Sequence, residues 1–156
     1  MFIVLMFAKL GIVAAYASMI WMMVQFKKAD QNVKLEFDLL SRIELSAGAG
    51  INLVGLICVI DASTYTFSLI LCLLGICIAL LQRYRIILAG DTKILFGAKV
   101  HSIKEIKSLG SGMLTLIIQT KKRAKPYRIY VPLTSNNVLK NRVQAKLKVK
   151  NKQRSI

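Results

Sequence analysis

Three long apolar runs fill the first half of the chain, and they constrain its fold more than any other feature. Phe2 to Phe26 carries one charge, Lys9. At about 1.5 Å per residue, a helix of that length exceeds the roughly 30 Å hydrocarbon core of a bilayer, so it spans with tilt or overhang. Lys9 lies near one end, where a lysine can snorkel to the headgroups. The small residues Ala15-Tyr16-Ala17-Ser18 imitate a signal-peptidase site, but no positive stretch precedes the run and it continues well beyond Ala17. A retained span is expected. The second run covers about 45–60 and the third about 64–81, with only Asp61-Ala62-Ser63 between their apolar cores. So short a connection predicts a tight helical hairpin with Tyr65 as an interfacial aromatic.

The second run opens Ser46-Ala47-Gly48-Ala49-Gly50, with Gly55 further on. Small residues let helices approach closely where lipid offers no hydrophobic drive for association. Close packing within the bundle is expected, with a homodimer face as the alternative. Asn52 is the one strongly polar side chain deep in the hairpin and predicts an interhelical hydrogen bond. No span carries an ionisable residue near its centre, which disfavours a transporter component.

Orientation follows from Lys and Arg counts near the spans. The 27–44 loop carries Lys27, Lys28, Lys34 and Arg42, the 61–65 tip carries no cation, and Arg83 and Arg85 follow the third run directly. The expected arrangement puts the N-terminus outside and the 27–44 loop and everything after residue 82 in the cytosol. Within the loop, Val33, Leu35, Phe37 and Leu39 alternate with charged residues, and Leu39, Leu40 and Ile43 continue at helical spacing. It lies on the membrane surface or packs against the soluble part.

After residue 82 the texture changes. Residues 1–82 have five Lys/Arg and five Asp/Glu; residues 83–156 have eighteen Lys/Arg against Asp91 and Glu105. The whole formal charge of +16 therefore sits in the second half. Short β-like runs, broken by turn residues, are expected at Tyr84–Leu88, Thr92–Val100, Ile103–Leu109, Met113–Thr120 and Tyr127–Leu133. In the second of these Ile94, Phe96, Ala98 and Val100 share a face; in the fourth, Leu114, Leu116 and Ile118 do. Thr134-Ser135-Asn136-Asn137 can cap a final helix with Leu139, Val143 and Leu147 as its apolar stripe. The chain thus divides into a three-helix transmembrane region at 1–82, a cytosolic domain at 83–147 and a basic tail at 148–156.

Several local runs resemble the bacterial pleckstrin-homology-like (PH-like) domain in order: Arg85-Ile86-Ile87-Leu88, Ile94-Leu95-Phe96-Gly97, Ser102-Ile103-Lys104-Glu105-Ile106-Lys107 and Leu114-Thr115-Leu116-Ile117-Ile118. That resemblance implies a curved sheet or partial barrel closed by the C-terminal helix. In overall architecture the chain resembles the YobD-like family of uncharacterised bacterial three-span inner-membrane proteins, from which it departs in its Lys-rich C-terminus. This implies a multi-pass protein of a bacterial plasma membrane and supplies no catalytic residue. The expected fold class is a membrane α-helical part of three transmembrane helices plus a small cytosolic β-rich PH-like domain closed by a C-terminal helix.

Catalytic constellations are missing from the sequence. His101 is the sole histidine and reads as a surface residue at a strand end; Asp91 and Glu105 would have to converge to act as an acid–base pair. No phosphate-binding glycine motif occurs. Cys58, Cys72 and Cys77 lie in apolar runs without a CxxC pair and read as small hydrophobes rather than zinc ligands. No enzyme activity and no cofactor are expected. The basic surface is the main functional feature. One cluster is Lys121, Lys122, Arg123, Lys125 and Arg128; a second is Lys140, Arg142, Lys146, Lys148, Lys150, Lys152 and Arg154. Each cation near an anionic leaflet contributes about 1 kcal/mol, so four or five would dock the domain on lipid. Topological bias and solubility alone, or nucleic acid, are the other uses of such charge. Nucleic acid is disfavoured because Tyr127 and Tyr130 fall on opposite faces of one strand and form no stacking platform. A membrane-protein partner or homo-oligomer is a further possibility. The alternative function is a self-protection membrane protein of the bacteriocin-immunity type.

Overall fold

The computed structural model describes residues 2–30, 32–33, 35–57 and 65–153. The expected hairpin tip at Asp61-Ala62-Ser63, together with Cys58, Lys34 and Arg154, lies outside the described residues. So do the side chains beyond Lys146 in the last helix, including Leu147, Lys148, Lys150 and Lys152. The chain separates into two compact units, Met1–Val24 with Leu39–Arg83, and Gln25–Asp38 with Tyr84–Ile156.

The first unit is built from α1 (Phe2–Ala29), α2 (Leu39–Ile57) and α3 (Tyr65–Arg85). All three are long and apolar enough to cross a membrane. Their packing is inside-out relative to a water-soluble bundle. In α2 the buried positions are Ser41, Gly48, Asn52 and Gly55; in α3 they are Ser68, Cys72, Gly75, Ala79 and Gln82. Both sets recur at steps of three, four or seven residues, so each forms one stripe of small or polar residues. The large side chains face outward: Leu53, Val54, Phe67, Ile70, Leu73 and Leu81 are all more than half exposed. In water that arrangement would waste the hydrophobic drive; in lipid the outward Leu and Ile cost nothing and the small stripe allows close approach. On α1 of this unit Leu5, Ile12, Ala15 and Met19 are buried, at steps of seven, three and four residues, the spacing of a left-handed helix seam.

Helix ends differ from the hydropathy limits. α2 starts at Leu39 rather than at about 45, and α3 continues to Arg85 where a first strand was expected from Tyr84. Hydropathy marks the lipid-buried length, whereas a helix continues through Ser41-Arg42-Ile43-Glu44 or Gln82-Arg83-Tyr84-Arg85 until something stops it, and neither stretch contains Gly or Pro. Lys9, near the start of α1, donates from Nζ to the Leu56 carbonyl at 2.8 Å. That carbonyl belongs to the last turn of α2, where unpaired C=O groups and the helix dipole favour a cation.

The second unit holds two three-stranded antiparallel sheets. One orders β1 (Leu88–Ala89), β2 (Lys93–Phe96) and β3 (Lys99–Ser102); the other orders β4 (Ile106–Ser111), β5 (Thr115–Thr120) and β6 (Tyr127–Tyr130). A 3-10 turn at Ile103–Glu105 links them, and α4 (Asn136–Gln153) follows. Residues of both sheets, including Ile94, Phe96, Leu116, Ile118 and Ile129, share one core with Leu139 and Val143 of α4. The helix runs through the stretch expected as a tail, since nothing from Leu147 to Gln153 breaks it.

The expected single strand Thr92–Val100 is two. Gly97 and Ala98 have φ of 56° and 60° between the paired residues Phe96 and Lys99. Two successive positive φ values in a two-residue hairpin make a type I′ turn. The reversal sends Ile94 and Phe96 into the core and leaves Val100 about half exposed. Ala98 is an L-residue held in left-handed backbone, which costs about 1–2 kcal/mol, partly offset because glycine loses more chain entropy on ordering. Ala98→Gly is therefore expected to stabilise the domain by roughly 0.5–1 kcal/mol, read as a rise in the thermal midpoint of the purified protein.

Part of the 27–44 loop joins this unit. Its Glu36 carbonyl accepts from the Ser135 amide at 2.9 Å, at the entry to α4. Asn32 bonds the Asp91 carboxylate. Asp30 lies against the β1–β2 turn, where Gly90 leaves room for it: a β-carbon there would overlap the carboxylate. Of the two placements expected for this loop, packing on the β domain is the one observed for residues 25–38.

Candidate functional site

The cationic residues picked out by sequence divide into those that hold the fold and those that face solvent. Lys121, Lys122, Arg123 and Lys125 sit in the turn between β5 and β6, and Arg128 follows on β6. Gln119 ties the turn down by donating to the Arg123 and Ala124 carbonyls at 3.0 and 3.2 Å. Lys121 donates to the Lys104 carbonyl at 2.8 Å. Lys122 pairs with Glu105 at 2.6 Å, an exposed ion pair of small energetic weight. It holds the Glu105 carboxyl below the usual range. The Arg123 guanidinium lies 4.7 Å from the centre of the Tyr127 ring, a cation–π distance. Lys125 and Arg128 are exposed.

The second cluster is less available than its charge suggests. Arg142 is half-buried and donates to the Asn32 carbonyl at 2.9 Å and the Ala89 carbonyl at 3.0 Å. It serves as a brace between the 25–38 loop and β1, which corrects its reading as a surface cation. Lys146 pairs with Asp91 at 2.9 Å; the Lys146 ammonium and the Asn32 amide together lower the Asp91 pKa. Lys140 is exposed. The structure thus gathers Lys121, Lys122, Arg123, Lys125 and Arg128 on one hairpin, and places Lys146 separately, against the β1–β2 turn.

His101 is not an ordinary surface residue. Its ring stacks on Phe96 at 4.0 Å between centroids, with Tyr127 edge-on to both. Burial pushes its pKa down, so it stays neutral around pH 7. Among the described residues no three His, Cys, Asp or Glu side chains come together as a metal site.

Sequence reasoning passed over Asp30. Its carboxylate accepts from the Thr92 amide at 2.7 Å, the Thr92 hydroxyl at 3.2 Å and the Lys93 amide at 3.2 Å. Burial alone would raise its pKa, but the amides of Thr92, Asp91 and Lys93 outweigh it and bring it from 3.8 to about 2. The only advance signal was Gly90-Asp91-Thr92, a turn whose amides could cradle an anion; nothing in the sequence said which anion.

In the helical unit Asn52 donates to the Tyr16 hydroxyl at 2.9 Å and to the Gly48 carbonyl at 2.9 Å. Tyr16 in turn donates to Gln82 at 3.4 Å. These bonds link all three helices. No family model, curated protein or solved structure matches the chain.

Proposed function

We propose that this is a non-catalytic, multi-pass protein of a bacterial plasma membrane, of the YobD-like kind, whose cytosolic PH-like domain docks on anionic lipid. Six strands in two sheets with an α4 that enters their core suit the PH-like reading. The bonds from residues 30, 32 and 36 to the β domain support a reading in which the loop after α1 and the chain after α3 share one side of the bilayer, in keeping with the cytosolic placement that the Lys and Arg counts give both.

The observation that carries the lipid reading is charge accounting in space. The stretch after residue 82 has only two acidic side chains, Asp91 and Glu105, and Lys146 and Lys122 pair with them. The exposed Lys125, Arg128 and Lys140 draw on neither. Tethering through α3 keeps this surplus close to a leaflet whose potential is negative.

The test is hydrogen exchange on the full chain in nanodiscs of zwitterionic lipid and of zwitterionic lipid with added phosphatidylglycerol. Residues 119–128 are expected to be protected only with the anionic lipid, and the protection should vanish near 1 M salt, where the screening length is about 3 Å. Lys125→Gln should lower that protection roughly fivefold, the equivalent of about 1 kcal/mol. Exchange indifferent to lipid charge would leave the cations as topological and solubilising features and sink the proposal.

A further inference from the structure

The β4–β5 turn places large apolar side chains in full view of solvent. Met113 is completely exposed, Leu114 is 67% exposed, and Tyr130 is 67% exposed. Val131 is about half exposed and has φ of 42°. These residues adjoin one another: Thr115 pairs with Tyr130 in the sheet, and the Val131 amide donates to the Leu114 carbonyl at 2.8 Å. The turn is closed by the Gly112 amide, which donates to the Thr115 carbonyl at 2.7 Å. A β-branched residue in left-handed backbone is strained and persists only where its surroundings impose it. Here Arg85 holds the carbonyls of both Tyr130 and Val131. The guanidinium donates to the Val131 carbonyl from Nε at 2.9 Å and from Nη2 at 2.6 Å, and to the Tyr130 carbonyl at 3.1 Å. The Arg85 carbonyl accepts from the Leu133 amide at 3.4 Å.

Arg85 is the last residue of α3, and the apolar run of that helix ends at Leu81. Four helical residues advance about 6 Å. Chain continuity alone thus keeps Arg85 within about that distance of the end of the apolar run. An apolar tip with a tyrosine at its edge, bonded to a residue that follows the apolar run so closely, matches the composition of an interfacial anchor. We infer that Met113, Leu114, Tyr130 and Val131 insert into the headgroup–acyl boundary of the membrane that the chain itself spans. This inference rests on α3 crossing a bilayer and is independent of cationic docking.

The two contacts make different demands. The Lys121–Lys125 turn is at the opposite end of β5 and β6 from Met113 and Tyr130. A six-residue strand such as β5 is roughly 17 Å long at about 3.3 Å per residue. Both ends touch the membrane only if these strands lie along its surface. Lipid type separates them, since apolar insertion needs no lipid charge and survives salt, whereas cationic docking needs charge and is screened.

The test uses Met113→Trp in a Trp21→Phe background, which leaves one tryptophan in the full chain, reconstituted in zwitterionic nanodiscs. The emission is expected to be blue-shifted and to lose most of its intensity when the lipid carries brominated acyl chains, at low and high salt alike. Val100→Trp in the same background, on exposed β3, is the reference for an aqueous indole. Emission at the Val100→Trp position with no quenching overturns insertion. A blue shift without quenching, accompanied by cross-links between copies, overturns it in favour of a second chain as the occupant. Quenching together with uncharged-lipid behaviour of residues 119–128 supports the tip and removes cationic docking.

Discussion

In Asp30→Ala, the Thr92 and Lys93 amides are expected to exchange with solvent roughly thirtyfold faster than in the parent chain. Three donors converge on one buried carboxylate, and its removal leaves them in a site shaped for an anion. Alanine offers no acceptor, so the donors lose their partner and incur the cost of buried unpaired N–H groups. The magnitude comes from the carboxyl pKa, which moves from 3.8 to about 2 on folding. A shift of that size corresponds to about 2 kcal/mol. Because the folded value is the lower one, this contribution is complete above about pH 4 and is lost as the pH falls toward 2. Parent protein should therefore lose protection at Thr92 and Lys93 across that interval. Asp30→Asn, uncharged throughout, should show the loss at neutral pH and little further change on acidification. Gly90→Ala gives a second route to the same outcome, since its β-carbon would displace the carboxylate without altering charge. If Asp30→Ala leaves both amides protected at neutral pH, the carboxylate is not what holds the 25–38 loop to the β1–β2 turn.

Gly75→Ala is expected to weaken the three-helix unit by about 1–2 kcal/mol, the upper end of what interhelical hydrogen bonds contribute in lipid. A β-carbon at Gly75 would overlap Asn52 Oδ1. Asn52 is 3% exposed, and its amide nitrogen is committed to Tyr16 and to the Gly48 carbonyl. It can rotate away from α3 only by giving up those bonds. Its Oδ1 has no hydrogen-bond partner and faces the Gly75 backbone, where a weak Cα–H contact is all that is on offer. The asparagine thus depends on a glycine opposite it. In an Asn52→Ala background the same Gly75→Ala change should cost much less, since the overlap is gone, and the double-mutant cycle in bicelles reads that coupling directly. Equal costs in both backgrounds would mean that Gly75 matters for reasons unrelated to Asn52. Leucine at Gly75 has no such escape and should prevent the close approach of α2 and α3 in either background.

The candidate site was half legible. The cationic hairpin between β5 and β6 could be read directly, because a charged run between two alternating apolar runs has nowhere to go but a solvated turn. Which of those cations would be free could not. Lys122 and Lys146 meet acids distant in sequence, and Arg142 braces carbonyls of residues 32 and 89. The exposed apolar tip was hidden for a related reason. In the pattern Leu114-Leu116-Ile118 every second residue promises burial, yet Leu114 extends past the end of the core and only Leu116 and Ile118 enter it.

By itself the sequence determined the number of apolar helices, the place where apolar texture gives way to strands, the location of the charge surplus and the start of the last helix. These are local or additive properties, expressed in hydropathy over twenty residues, alternation over six, or a count of lysines, and they need no knowledge of what lies opposite. Tertiary structure alone decided which face of each apolar helix is inward, since a run of Leu and Ile has no polar side to mark its outside and the small residues reveal their role only against a partner. It decided that Thr92–Val100 is a hairpin, through two positive φ angles, one of them on an alanine that no turn rule would select. It also decided that Asp30, one carboxylate in an electrically mixed loop, closes on the turn some sixty residues later, because hydrogen bonds to a buried anion depend on three donors meeting in space and on a glycine leaving them room.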